Sequence, residues 1–117
     1  MATDDFLVLQ KVQDMMIYGY PILSRFPKVE KFSLAADIRR CMDELLELTI
    51  TEDKKYTKKT TLENMDIANE KLKFYLRIAM ELKYISVHTY GVWESKIVEI
   101  GKMIGGLLKS VNNRLKA

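Results

Sequence analysis

Apolar residues recur every three or four positions through most of this chain, which is the spacing of one face of an α-helix. Four such segments are separated by short polar stretches, and we predict helices over about residues 5–25, 33–53, 61–84 and 87–115. No segment alternates apolar and polar residues as a strand does. The pattern therefore predicts an all-α fold, an antiparallel four-helix bundle in which residues 1–117 form a single domain.

The apolar face of each predicted helix supplies the expected core. In the first two helices its members are Phe6, Leu9, Val12, Met16, Gly19 and Leu23, then Leu34, Ile38, Cys41, Met42, Leu45, Leu48 and Thr49. In the last two they are Leu62, Met65, Ala68, Leu72, Tyr75, Leu76 and Ala79, then Tyr90, Trp93, Ile97, Ile100, Ile104, Leu107, Leu108, Val111 and Leu115.

Polar residues with short side chains precede each helical pattern and predict where the helices begin, because their oxygens can accept hydrogen bonds from free backbone N–H groups. The predicted caps are Asp4 or Asp5, Ser33, Thr60 with Glu63 as a capping box, and Ser86. Residues 26–33, which follow the first helix and contain Pro27, are predicted to form a corner between two helices. The basic run at residues 54–61 is predicted to be a surface loop.

Two glycines lie inside the fourth helical pattern, at Gly101 and Gly105. Glycine costs roughly 1 kcal/mol relative to alanine in a helix, so its presence there usually has a packing reason. We predict that these glycines let another helix approach closely, either within the bundle or across a subunit interface.

The charge of the chain is distributed unevenly, although the total is only +3. Residues 1–53 carry a net charge of −4 and residues 71–117 a net charge of +6. The second half is therefore a candidate electropositive surface for a phosphate backbone or an acidic protein, and a solvated face without a partner is the alternative. On the third helix the same choice applies to Lys73 and Arg77, which either meet a partner or belong to a salt-bridged solvent face.

Residue types that carry catalysis or hold metals are sparse. His88 is the single histidine, which leaves a zinc site or a Ser-His-Asp triad poorly supported. No Glu-x-x-His pair and no glycine-rich phosphate loop after a strand occurs. We therefore expect a binding or scaffolding protein, with no enzyme activity, no cofactor and no metal.

The N-terminal residues lack the pattern of a signal peptide, and no run approaches the roughly 20 apolar residues that cross a membrane. Cys41 is the only cysteine, so no internal disulfide can form, and a buried inert thiol is the simpler interpretation. These features predict a cytoplasmic protein without a membrane partner.

Three segments resemble the accessory variability determinant (Avd) proteins of diversity-generating retroelements: YPILSRFPKVEKFSLAADIRR, LKFYLRIAMELKYIS and EIGKMIGGLLKS. Avd proteins group with four-helix-bundle proteins encoded in intervening sequences of ribosomal RNA genes, which share the FPK-E-x-x-L-x-x-x-I-R-R type of corner. The likeness covers about residues 15–113, and the order and spacing of the three segments carry it.

The resemblance implies a homopentameric ring of four-helix bundles that binds the retroelement reverse transcriptase and its RNA or cDNA. The basic residues that it nominates for this binding are Arg39, Arg40, Lys73, Arg77 and Lys102. Helical spacing adds Lys109, which lies seven residues after Lys102 on the same face of the helix. Gly101 and Gly105 are nominated for the subunit interface. The alternative is a bundle of the intervening-sequence type, a scaffold or protein-interaction ring with no nucleic-acid partner.

Overall fold

The computed structural model describes residues 3–54 and 59–116. Four α-helices occupy nearly all of these residues: α1 (Thr3–Leu23), α2 (Leu34–Lys54), α3 (Lys59–Glu81) and α4 (Val87–Lys116). α1 and α3 each contact both α2 and α4, but not each other, so the helices lie at the corners of a square. The described residues contain no strand. The all-α fold with four packed helices is therefore confirmed, in a rod of 51 × 22 × 20 Å.

Most of the predicted core positions of α2, α3 and α4 are buried, but the predicted face of α1 is partly wrong. Phe6 is exposed, and the core contacts of the first turns come from Val8, Val12 and Met15. Residues 6–23 are apolar on more than one side of the helix, so spacing alone allowed two faces. On α4, Leu115 is also exposed, because it lies close to the end of the bundle's last helix.

Trp93 forms the central contact between α1 and α4. Its indole ring is fully buried and lies directly against Gly19, where a side chain would collide with it. The indole Nε1 donates a hydrogen bond to Met15 Sδ at 3.4 Å, and Tyr18 packs edge-on at a ring distance of 6.1 Å. The absence of a side chain at Gly19 therefore sets how closely α1 and α4 approach.

The corner at residues 26–33 contains a short 3-10 helix, Lys28–Glu30, and is tied to the turn between α3 and α4. The Tyr84 hydroxyl donates to Glu30 Oε2 at 2.8 Å, and the Phe26 and Tyr84 rings pack 5.7 Å apart. The Ser33 hydroxyl donates to the other Glu30 oxygen, so it does not cap α2 as predicted. These hydrogen bonds, from Ser33 first and then Tyr84, lower the pKa of the Glu30 carboxyl.

The other predicted helix starts have mixed outcomes. Ser86 caps α4 as predicted, since its Oγ accepts a hydrogen bond from the Thr89 N–H at 3.0 Å. Thr60 lies inside α3, which already begins at Lys59, so the predicted capping box at this position is wrong. Asp4 and Asp5 likewise lie inside α1, which begins at Thr3. Residues 55–58 of the predicted loop lie outside the described residues.

Two further predictions concern the cysteine and the membrane. Cys41 is buried as predicted, and burial raises the pKa of its thiol, which disfavours the reactive thiolate. Across the described ranges, none of the helices combines the length and apolar character needed to span a bilayer.

Candidate functional site

A groove between α3 and α4, here called the α3/α4 groove, brings together two of the predicted binding residues, Lys73 and Lys102. Its volume is about 280 Å³. It is lined on the α3 side by Asp66, Asn69, Glu70 and Lys73, and on the α4 side by Ile97, Val98, Gly101 and Lys102. Lys73 and Lys102, 29 positions apart in sequence, thus share one surface because α3 and α4 are neighbours in the square.

Asn69 forms the floor of the groove and joins its two walls. Its side chain is buried, and Nδ2 donates to the Ile97 carbonyl oxygen at 3.0 Å. Within the described residues its Oδ1 has no hydrogen-bond partner. A Cβ at Gly101 would lie 3.2 Å from Nδ2, so glycine at this position leaves room for the amide. Gly101 therefore has a packing role inside the chain, and its place at a subunit interface stays a prediction.

Asn69 is a residue of the groove that the apolar spacing does not predict, although the sequence holds a signal for it. Asn69 lies between Met65 and Leu72 on the inward side of α3. A buried amide without a hydrogen-bond partner lowers the stability of the fold, so a buried asparagine usually has a partner. A single polar residue in phase with the apolar face of a helix marks such a position.

Charges of both signs line the α3/α4 groove. Lys73 and Lys102 contribute two positive charges, and Asp66 and Glu70 contribute two carboxylates. On α4, Glu99 pairs with Lys11 of α1 at 2.9 Å, and this hydrogen bond, aided by Lys96 and Lys102, lowers the pKa of Glu99. One groove by itself is therefore a weak attractor for phosphate.

Arg77 extends the basic surface one helical turn beyond Lys73. Its Nε donates to Glu81 Oε1 at 3.2 Å, and both side chains are largely exposed. An exposed pair four residues apart contributes only a few tenths of a kcal/mol, so it leaves the guanidinium available to a ligand. Among the described residues of α3, this is the ion pair that forms within the helix.

The remaining nominated cations lie elsewhere. Lys109 is exposed on α4, two turns beyond Lys102, and does not line the groove. Arg39 lies over the Tyr20 ring of α1, 5.7 Å from its centroid, and Arg40 pairs with Asp37 on α2. Neither arginine lines the α3/α4 groove, and only Arg39 is placed on the α1 side of α2, by its contact with Tyr20.

The two nominated glycines differ in their surroundings. Gly105 has no atom within 4 Å of where a Cβ would lie, in contrast to Gly101. No contact within the described chain explains glycine at Gly105, and its role at a subunit interface remains a prediction. Among the described residues, no group of three or more His, Cys, Asp or Glu side chains is arranged to hold a metal ion.

Comparison with known proteins assigns the family. A search of curated proteins found no match. A family model described as bAvd-like matches residues 6–111, which include all of α2 and α3, most of α1 and α4, and both walls of the α3/α4 groove. Because this match covers most of the chain, the protein belongs to the bAvd-like family.

Proposed function

We propose that this protein is a non-enzymatic accessory protein of a diversity-generating retroelement, and that it binds the retroelement reverse transcriptase together with its RNA or cDNA. The observation that carries the proposal is the bAvd-like match over residues 6–111. The α3/α4 groove supports it, because Lys73 and Lys102 converge there and Arg77 lies one turn away. Lysine and arginine side chains in such a cluster attract phosphate groups.

The proposed assembly is a homopentameric ring, and two apolar surfaces support it. The first, here called the α3 strip, consists of the exposed side chains Ile67, Phe74 and Ile78, which share one face of α3. The second is a cavity of about 310 Å³ lined by Val8 of α1 and Met103, Gly106, Leu107 and Ser110 of α4. Two different surfaces on one chain permit head-to-tail contacts, and such contacts form a ring when the rotation from one subunit to the next closes.

Assembly would also compensate for the mixed charge of a single α3/α4 groove. Each groove offers two lysines beside two carboxylates, so one copy is expected to hold phosphate weakly. Several grooves in one ring would engage one nucleic acid at a high effective concentration, and weak contacts would add up to useful affinity.

A second candidate function is a protein-interaction scaffold with no nucleic-acid partner. The carboxylates of Asp66 and Glu70 in the groove favour it, as does the modest net charge of +3. The two candidates differ in their salt dependence. Phosphate binding weakens log-linearly as salt rises, whereas apolar docking between proteins does not.

The proposed function is tested with a fluorescently labelled single-stranded RNA and the purified protein. Fluorescence anisotropy over a series of KCl concentrations gives both affinity and salt slope. We expect the double variant Lys73→Glu with Lys102→Glu to bind at least about tenfold more weakly, with a shallower salt slope.

The matched control reverses two exposed lysines that lie outside the groove and form no ion pair with another described residue, Lys59→Glu with Lys83→Glu. Its overall charge change is identical, so a general electrostatic effect would weaken both variants equally. Equal loss, or no loss in either, would assign the groove no role in nucleic-acid binding. Co-purification of the reverse transcriptase with each variant then tests the protein partner separately.

A further inference from the structure

One end of the bundle exposes an unusual number of apolar side chains. We call it the corner end; it comprises residues 25–33 and the turn from α3 into α4, residues 82–87. Phe32 is 93% exposed and Val29 is 82% exposed, both on the corner between α1 and α2. Val87, at 75%, and Leu82, at 51%, are exposed on the turn from α3 into α4, which contacts the corner through Tyr84. Apolar side chains clustered in this way on a folded domain mark a docking surface.

These side chains are held on a fixed scaffold. Glu30, between Val29 and Phe32, accepts hydrogen bonds from Ser33 and Tyr84. Beneath it, the Phe26 ring packs against Tyr84, and Phe26 is buried. A surface that is ordered before binding loses less conformational entropy when a partner arrives.

The corner end is also positively charged. Its exposed cations are Arg25, Lys28, Lys31 and Lys83, and none of them forms an ion pair with another described residue. The nearby carboxylates are engaged, since Glu30 accepts two hydroxyl groups and Glu81 pairs with Arg77.

A shallow pocket opens beside the exposed apolar residues. Its volume is about 500 Å³, and its lining consists of Met80, Glu81, Lys83, Tyr84, Ile85, Ser86 and Val87. A concave site of this size fits an inserted side chain, whereas a flat bilayer surface cannot fill it. Three of the four exposed apolar residues are aliphatic and offer no ring on which a nucleobase could stack.

We propose that the corner end docks an acidic protein segment that places apolar side chains against Phe32, Val29 and the adjoining pocket. The four unpaired cations then meet the carboxylates that flank those side chains, which favours this segment over neutral or basic ones. The proposal rests on the corner end alone and does not require the α3/α4 groove to bind nucleic acid.

The test uses a fluorescein-labelled 14-residue peptide of Glu, Asp, Leu and Phe whose apolar residues recur every three or four positions. We expect it to bind the full-length protein, and we expect a peptide with Lys in place of every Glu and Asp not to bind. Val29→Ser with Phe32→Ser should weaken binding at least about tenfold, and Lys28→Glu with Lys31→Glu should do the same.

The matched control removes two apolar side chains of similar exposure elsewhere, Ile17→Ser on α1 with Leu115→Ser on α4. It should bind the acidic peptide as the unaltered protein does, and thermal melts should show that every variant is folded. The groove variant Lys73→Glu with Lys102→Glu should also bind normally, so that a failure of the groove hypothesis is distinguishable from a failure at the corner end.

Parallel titrations with phosphatidylserine-containing vesicles and with single-stranded RNA test whether the corner end binds a membrane surface or a nucleic acid instead of the peptide. The proposal is overturned if the peptide does not bind, or if the corner-end variants bind it as tightly as the control. It is equally overturned if those variants lose vesicle or RNA binding while retaining the peptide.

Discussion

At the scale of single residues, Gly19 is the glycine where the fold leaves least space for a side chain. A Cβ at Gly19 would lie 2.4 Å from Cζ2 of Trp93, and Trp93 is fully buried with little space to shift. We expect Gly19→Ala to lower the free energy of unfolding by about 1–3 kcal/mol, because an extra methyl group in a packed core forces its neighbours apart. Urea denaturation followed by circular dichroism measures the change.

Gly91 provides the control for this prediction. It is an exposed residue of α4 with no atom within 4 Å of where a Cβ would lie. Gly91→Ala should therefore raise the free energy of unfolding by up to about 1 kcal/mol through helix propensity alone. If both alanine variants shift stability in the same direction, the Gly19 contact with Trp93 does not limit the approach of the helices.

Tyr20 gives the protein a dependence on alkaline pH. Partial burial, followed by the hydrogen bond from its hydroxyl to Asp43 Oδ1 at 2.6 Å, raises the pKa of Tyr20 to about 12. In the unfolded chain the hydroxyl ionises near pH 10. The stabilisation is therefore complete below pH 10 and is lost as pH rises from 10 towards 12. Between pH 10 and 12, the free energy of unfolding should fall less for Tyr20→Phe than for the unaltered protein, as measured by urea denaturation at each pH. An equal fall in the two proteins would refute the assignment.

At the scale of secondary-structure elements, the end of α3 carries a backbone strain. Lys83 has a φ of 66°, in the left-handed region that favours glycine. The Lys83 N–H donates to Met80 O and the Tyr84 N–H to Ala79 O, both at 2.9 Å, which is the Schellman pattern of a helix end. This turn directs the chain into α4 and places Tyr84 against the corner.

We expect Lys83→Gly to stabilise the fold by about 1 kcal/mol, because glycine adopts the left-handed conformation without strain. Lys83→Ala keeps the Cβ and so should bring no such gain, although it removes the same charge. Thermal unfolding of the two variants separates the backbone effect from the charge effect. A gain of equal size in both would attribute the change to the lysine side chain.

At the scale of the whole molecule, the exposed α3 strip is one of the two surfaces through which the proposed homopentameric ring would assemble. Light scattering after size exclusion should give the unaltered protein a mass of five chains of 13.6 kDa, at both low and high salt. Phe74→Asp places a carboxylate in the middle of the strip, and we expect it to reduce the mass, since burying an unpaired charge at an interface is costly.

Ile17→Asp is the corresponding control, because Ile17 is 72% exposed on α1 and lies outside both surfaces that support the ring. It should leave the mass unchanged. A single-chain mass for the unaltered protein would remove the ring from the proposed function, and an unchanged mass for Phe74→Asp would exclude the α3 strip from the interface.

At the same scale, the fold decides how the unevenly distributed charges of the sequence are arranged on the surface. The acidic first half and the basic second half pack side by side, and salt bridges join them from Lys11 to Glu99 and from Lys71 to Glu44. The basic residues are consequently divided among separate surfaces, of which the α3/α4 groove and the corner end are two.

The sequence by itself determined the four helices, the all-α fold, the buried faces of α2 to α4, and the resemblance to Avd proteins. These properties are local, since a periodic apolar pattern specifies both a helix and its buried side whatever its neighbours are. For α1 the same reasoning failed at Phe6, because apolar residues cover more than one side of that helix.

Only the tertiary structure decided which distant residues meet. It joined Lys73 to Lys102 over Asn69 and separated both from Arg39 and Arg40. It also joined Glu30 to Tyr84 by a hydrogen bond, and it left Phe32 exposed at a basic end of the bundle. Such groupings depend on the order of the helices around the core and on their turns, and no spacing within a single helix encodes that order.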